Sequence, residues 1–475
     1  MQAIKFKKLQ RIAAAFGLLL LAGCVSFTPD AGFGSVKTAV EERGGIAPRW
    51  VRNDRDAGEV REAVKRLVSG GPLTADGAVQ IALMNNPGLQ ATYAELGIAE
   101  ADLVQAGRLR NPGFSYGRTT RGDEIEIERK FIVELVGLLT IPLRTQIERR
   151  RFDLAKTRVA AETTRVAADA RRAYYGALGA QEGVKYMTQV KEAAEASAEL
   201  ARRMAAAGNF TKLDHAREQI FYAETTAQLA RVRLTAAGER ERLTRLMGLW
   251  GDDLRFRLPD RLPDLPKSAR ELSELEPVAL KQRLDVQASM KEAESIASTL
   301  GLTRATGFIS LLEVSYIHNN ESGMPRQTGY EIELRLPIFD WGGARAARAQ
   351  HTYMQAVNRA SEVAIRARSE VRESYDAYRT AFDLARHYRD EIVPLRKRIS
   401  DENVLRYNGM LISVFELLAD ARQQVTSVNA YIEALRDFWI ADATLQVALT
   451  GTSPGSTGLS RGSAMAGGDA EAGGH

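Results

Sequence analysis

The sequence predicts a mainly α-helical fold with a small β part. A duplicated module would give four strands per chain, closing as a trimeric transmembrane β-barrel, together with very long coiled-coil helices. Three observations predict it: an internal repeat at roughly 195 to 200 residues, heptads through helices of some 60 residues, and short strands whose charged and aliphatic residues fall on opposite faces.

The chain opens on a lipoprotein signal peptide, residues 1–23. Lys5, Lys7, Lys8 and Arg11 make a basic start, and Ile12 to Ala22 is apolar apart from one glycine. That run of about 11 residues is too short to span a bilayer as a helix, which takes roughly 20. Leu21-Ala22-Gly23-Cys24 then reads as a lipidation site, so the mature chain would begin at Cys24 with its thiol joined to a diacylglycerol and anchored in outer-membrane lipid. In the sorting rule this pattern resembles, an aspartate after the cysteine retains a lipoprotein at the inner membrane; Val25 favours the outer membrane. Cys24 is the only cysteine in 475 residues, so an exported chain must be held by burial and assembly rather than by disulfides.

Removing residues 1–23, which carry four cations and no acid, lowers the formal charge from +5 to +1. No basic domain or aromatic-interleaved Lys/Arg stripe remains, so nucleic-acid binding has no support. No stretch after Cys24 has 18 consecutive apolar residues, and any membrane crossing by the mature chain must be a closed β-barrel.

Residues 24–72 are poorly patterned and read as an irregular, lipid-anchored N-terminal arm. Two repeats follow, 73–257 and 273–450, joined by a Pro-rich linker, 258–272; a Gly/Ser/Ala-rich tail, 451–475, lacks periodicity and should be disordered. The duplication shows in Ala82 to Gln90 against Ala279 to Gln287 at an offset of 197, and in Ile141-Pro142-Leu143 against Leu336-Pro337-Ile338 at 195. Each repeat has the order helix, strand pair, very long helix, Gly-marked turn, long helix, with the long helices over about 145–206 and 343–408.

Phe152, Val159, Val166, Ala173, Ala180, Met187, Ala194 and Ala201 fall seven apart, as do Val357, Ala364, Val371, Tyr378, Ala385, Ile392 and Ile399. A strict seven-residue repeat implies a coiled-coil seam. Some 60 residues make a rod of roughly 90 to 100 Å, longer than a globular core requires. In Glu124-Ile125-Glu126-Ile127-Glu128 and Tyr330 to Leu336, charge alternates with aliphatic side chains. In a barrel wall Ile332, Leu334 and Leu336 would meet lipid while Glu331, Glu333 and Arg335 line a wet lumen; on an ordinary half-buried sheet the same aliphatics would face a core. Phe114 to Arg118, turning at Gly122-Asp123, and Phe308 to His318 supply the partner strands. Four strands cannot close a barrel; three chains give twelve, which makes a homotrimer the geometric requirement. Pro142 and Pro337 fit the changeover from strand to helix, because proline has no ladder donor and suits a first helical turn.

The chain resembles the TolC family of outer-membrane efflux proteins over about residues 73–451, closest to lipidated members that serve metal and drug efflux pumps. The resemblance rests on Leu73-Thr74 with Ala78, Asn86-Pro87-Gly88-Leu89, Ala99-Glu100-Ala101, Asn111-Pro112, Phe339-Asp340-Trp341-Gly342-Gly343 and Arg406-Tyr407-Asn408-Gly409, leading to Ser413 and Glu416-Leu417-Leu418. It implies a trimeric transmembrane β-barrel continuous with a long periplasmic α-helical coiled-coil barrel, a passive duct recruited by an inner-membrane pump and a periplasmic adaptor that engages the turns at Gly208 and Gly409. It also implies a periplasmic gate of acids shortly after those turns, for which Asp214, Glu416 and Asp420 are the candidates. The second turn looks one residue longer than the family's common form, and Asp420 lies four rather than three positions after Glu416, so which acid faces the axis stays open; all three also suit solvated helix starts. The alternative function is a non-channel periplasmic coiled-coil scaffold lipoprotein, which would have no use for repeated strand pairs. His215, His318, His351, His387 and His475 form no ligand spacing, and no catalytic, metal or cofactor site is expected.

Overall fold

The computed structural model describes residues 26–305, 312–334 and 338–455; Cys24, Arg335, Pro337 and most of the tail lie outside the described residues. The described residues fall into two compact units, one within 26–51, 87–163 and 280–366 and the other within 52–86, 164–279 and 367–455, so each unit draws on both repeats.

The N-terminal arm is not irregular: it folds as α1, Phe33–Gly44, and α2, Asp54–Ser69. The Asn53 side chain accepts a hydrogen bond from the Asp56 amide at 2.9 Å, and Asp54 and Asp56 complement the positive end of the helix. Each helix buries only one i, i+4 valine pair, Val36 with Val40 and Val60 with Val64, too little periodicity for the sequence to declare it.

Next come α3, Ala75–Asn85, and α4, Pro87–Ala106, broken where Asn86 precedes a proline. The Thr28 amide and hydroxyl donate to Glu100 Oε1 at 2.7 and 2.6 Å, and Phe33 packs on Tyr93, tying the arm to α4. The two asparagines of the break are working anchors. Asn85 Nδ2 donates to the carbonyls of Met247 and Gly248, and Asn86 Nδ2 to that of Leu246, satisfying the last turn of α6, Lys212–Met247.

Strands β1, Gly113–Arg121, and β2, Glu124–Glu134, turn on Gly122-Asp123 with positive φ at the glycine alone, the pattern of a type II′ hairpin. Strands β3, Leu312–Glu321, and β4, Gln327–Leu334, complete a four-stranded antiparallel sheet in the order β1-β2-β3-β4.

Helix α5, Leu135–Ala206, runs 72 residues and corrects the changeover expected at Pro142: the helix starts directly after Glu134 and encloses the proline. The apolar run from Leu135 to Ile141 suits a strand or a buried helix equally, and Pro142, eighth in the helix, leaves only the Leu138 carbonyl without its helical donor. Seven of the eight heptad positions in α5 are buried, Ala180 being half-buried.

The second repeat supplies α7, Leu275–Gln282, α8, Leu284–Ala305, α9, Gly343–His387, α10, Val393–Asn408, and α11, Val414–Thr450. Between α9 and α10 one π turn, Tyr388–Ile392, interrupts the expected continuous helix. Pro394 follows it, and a proline ring excludes the α-type bond to the residue four back, so the ladder widens there.

In the second unit Tyr378, Phe382 and Phe438 pack ring to ring, and Tyr175 stacks on Trp439 at 5.3 Å. The Pro-rich linker is bound across this layer as a strap. Leu258, Leu262 and Leu265 are buried; Gln181 Nε2 donates to the Pro259 carbonyl, the Leu262 amide to Glu182 Oε2, and Trp439 Nε1 to the Pro263 carbonyl.

Candidate functional site

Two arrangements concern the sites expected from sequence, the sheet faces in the first unit and the helix-hairpin tips in the second. Residues directly opposite in a ladder share a face. Phe114, Phe131, Tyr316 and Tyr330 lie in one cross-strand row, flanked by Val133, Val314 and Ile332 in the next and Leu312 with Leu334 beyond. This face is apolar and open: Tyr330 is 79% and Ile332 60% exposed in the single chain. Glu331 and Glu333 occupy the opposite face with Glu124, Glu126, Glu128, Glu134, Glu313 and Glu321. Lys130 pairs with Glu331, and Arg110 with Glu134. The row Glu134–Glu313–Glu333 sets three carboxylates side by side, which is unfavourable on a dry sheet and tolerable beside water.

The hairpin tips close with the same turn. After α5 the Asn209 amide bonds the Met204 carbonyl and Gly208 that of Ala205, with Gly208 at φ +80°. After α10 the Leu411 amide bonds the Arg406 carbonyl and Met410 that of Tyr407. Both are Schellman ends. Here the left-handed residue is Met410, φ +58°, rather than Gly409 at φ −82°. Within this chain the two turns therefore match when counted from the left-handed residue, Gly409 standing as the C-cap of α10. From Gly208 to the cap Thr211, and from Met410 to the cap Ser413, the distance is three residues in each case.

Counted from the caps, Asp214 corresponds to Glu416 and Glu218 to Asp420. Asp214 and Glu416 sit in first turns, their amides bonded to the Thr211 and Ser413 hydroxyls at 3.1 and 3.3 Å. Thr211 also donates its hydroxyl to Asp214, and Arg217 lies 3.5 Å from that carboxylate. Glu416 is exposed. Asp420 is not a solvated helix start: it is 8% exposed, one turn further in, and its Oδ2 is buried with no partner among the described residues.

Glu218 escaped the sequence reading. It is 2% exposed and accepts from Ser197 at 2.9 Å and from Arg422 at 3.0 Å, so it joins α6 to α11 just inside the tips. Arg422 lies over the Phe221 ring at 4.3 Å. The shared offset of seven residues from the two caps was the signal that could have found Glu218. On the neighbouring part of α5, hydrogen bonds from Arg202 and Arg203 pull the Glu199 carboxyl down to about 2. At the tips themselves Met410 is 93%, Leu411 77% and Leu213 61% exposed. Among the described residues no cluster of His, Cys, Asp and Glu could hold a metal ion, and no helix is long and apolar enough to cross a membrane.

No protein-family model matches the chain. It is similar to the cobalt-zinc-cadmium resistance protein CzcC of Cupriavidus metallidurans, 25% identical over 309 residues, 62% of this chain and 70% of CzcC. Its fold is similar to that of CusC, with a TM-score of 0.66 and 15% identity, covering 79% of this chain and 92% of CusC. The CmeC outer membrane channel of Campylobacter jejuni gives a TM-score of 0.68 at 16% identity, covering 80% and 86%. For the outer membrane protein VceC of Vibrio cholerae the values are 0.66 and 15%, covering 80% and 96%. The chain, mainly helical with one four-stranded antiparallel sheet among the described residues, thus shares its fold with these three proteins.

Proposed function

We infer that this chain is a TolC-type outer-membrane factor, the exit duct of an efflux system, built from three copies and extending from the outer membrane into the periplasm. The observation that carries the inference is the sorted sheet: eight glutamates on one face, an aromatic and aliphatic band on the other, and β1 and β4 at its two edges. An apolar face with open edges is unstable alone. Twelve strands from three chains close the edges, put the apolar band in lipid, and leave Glu331 and Glu333 to line the water-filled lumen. The likeness to CzcC favours divalent transition-metal cations as cargo, and a carboxylate-lined lumen suits them. Transport is passive and involves no catalysis by the chain; direction comes from an inner-membrane pump, coupled through a periplasmic adaptor. The tips at Gly208 and Gly409, with apolar Leu213, Met410 and Leu411 exposed beside them, suit that adaptor.

Asp214, Glu416 and Asp420, three copies each, form the periplasmic gate in this reading. Carboxylates gathered round an axis hold cations and exclude anions. The test is conductance of purified trimers in planar bilayers under a salt gradient, with a trivalent cation added on the periplasmic side. Discrete cation-preferring steps and block by that cation are expected, and Glu416→Gln with Asp420→Asn should weaken both. Intact trimers without conductance would refute the duct. A double variant with wild-type selectivity and block would move the constriction away from these acids.

A further inference from the structure

The apolar face of the sheet changes character at one level. On the hairpin-turn side of the aromatic row Phe114–Phe131–Tyr316–Tyr330, the next row is Tyr116–Arg129–His318–Thr328 and the one after is Arg118–Ile127–Asn320. Arg118 and Arg129 are therefore diagonal neighbours on adjacent strands, about 7 to 8 Å apart at the backbone. His318 stands directly opposite Arg129. Every glutamate of the four strands lies on the other face, so no carboxylate of the sheet shares this face with the two arginines. No ion pair forms to Arg118, Arg129 or His318 among the described residues.

Arginine on the outer wall of a barrel costs roughly 2 to 4 kcal/mol at the bilayer midplane and about 0 to 1 near the interface. Two arginines facing outward beside an aromatic row therefore mark the headgroup level, because aromatic rows sit there too. The side is fixed by topology. The helices leave the sheet before β1 and after β2, whereas this row lies toward the turns at Gly122 and Gly323. With the helices in the periplasm, the row faces the outer leaflet.

We propose that Arg118, Arg129 and His318 form a docking site, one per chain, for an outer-leaflet glycolipid carrying phosphate monoesters on its headgroup. Guanidinium groups bind phosphate oxygens through paired N–H donors, and the neighbouring aromatic row packs the top of the acyl chains. The partner is a lipid rather than free phosphate because the cations adjoin the apolar band. The proposal rests on the outer-membrane reading given above.

The experiment uses the full-length trimer in lipid nanodiscs. Bound lipid is counted by native mass spectrometry, and affinity is titrated with bis-phosphorylated lipid A, with phosphatidylcholine and inorganic phosphate as controls. Wild type should retain lipid A selectively, unaffected by millimolar inorganic phosphate. Arg118→Gln with Arg129→Gln should weaken that affinity at least about tenfold, since two charge-assisted contacts are lost. The variant must still form trimers in nanodiscs, and Glu331→Gln, on the opposite face, should bind as wild type. The proposal is overturned by equal lipid A affinity in wild type and double variant, by equal retention of phosphatidylcholine, or by displacement with inorganic phosphate. Failure of the wild-type trimer to enter nanodiscs would instead overturn the membrane reading, and the proposal with it. If the double variant alone fails to assemble, Arg129→Lys, which keeps the charge but not the paired donors, supplies the comparison: unchanged affinity and selectivity there overturns the guanidinium site, and a measurable loss supports it.

Discussion

Replacing Arg422 with methionine keeps most of the side chain's length over the Phe221 ring while removing the cation beside Glu218. The carboxylate left behind is 2% exposed and retains only the Ser197 hydroxyl, at 2.9 Å. Removing one partner of a fully buried pair costs about 3 to 5 kcal/mol. Arg422 is itself 37% exposed, so the pair is partly screened, and about 2 to 3 kcal/mol is the better expectation. The link joins α6 to α11 near the tips, so the loss should appear as local opening rather than global unfolding. At 1.36 kcal/mol per factor of ten, amide exchange in the first turns of α6 and α11 should quicken about 30- to 160-fold. Hydrogen exchange with mass-spectrometric readout measures this on the assembled protein. Glu218→Gln in the Arg422→Met background should recover part of the loss, because the buried charge is then gone. Arg217→Met is the control, its partner Asp214 being 3.5 Å away and the arginine 59% exposed. If Arg422→Met opens the tips no more than Arg217→Met does, the buried link is energetically idle and the reasoning fails.

Three further outcomes are expected. Hydrogen bonds first from Arg368 and then from Arg372 hold the Glu276 carboxyl below its ordinary 4.5; its stabilisation is present above that value and lost as pH falls through the depressed one. Glu276→Gln should therefore flatten the acid limb of a Tm-versus-pH curve below pH 4.5, and an unchanged limb would count against the pairing. Leu334→Arg should impair insertion of the trimer, since roughly 2 to 4 kcal/mol near the midplane is incurred three times, whereas Glu331→Gln should insert and alter ion selectivity; equal tolerance would reverse the two faces. Cys24→Ser should abolish incorporation of radiolabelled fatty acid, and persistent labelling would remove the lipid anchor.

The first long helix was legible from its seven-residue period, with Val159, Ala173 and Ala201 buried at that spacing; in the second the same spacing buries Val371, Tyr378 and Ala385 but leaves Ile399, beyond the π turn, exposed in the single chain. Strand alternation was equally plain, and Ile332 and Glu331 fall on opposite faces as their order demands. Local boundaries were not. Leu135 to Ile141 has no period that separates strand from helix, so Pro142 looked like a boundary when it lies inside α5. The arm was missed because two buried valines per helix make a weak stripe, although the Asn53 cap was there to be seen. At the tips, Asp214, Glu416 and Asp420 were singled out as gate candidates by the family resemblance, which places acids shortly after the turn glycines. Glu218 was hidden because its partner Arg422 is 204 residues away, a pairing no local pattern contains.

The strap across residues 258–265 gives the tips leverage. Its bonds to Gln181, Glu182 and Trp439 fix α5 and α11 at one level of the second unit. Gly208 lies 27 residues beyond Gln181, an arm of about 40 Å at 1.5 Å per residue. With that level as the fulcrum, a tilt of about 10°, within the range of rigid-body rotations in proteins, carries the tip through roughly 7 Å. Such a sweep exceeds the reach of any single hydrogen bond at the tip, so the hairpins could swing widely while the aromatic layer under the strap stays packed.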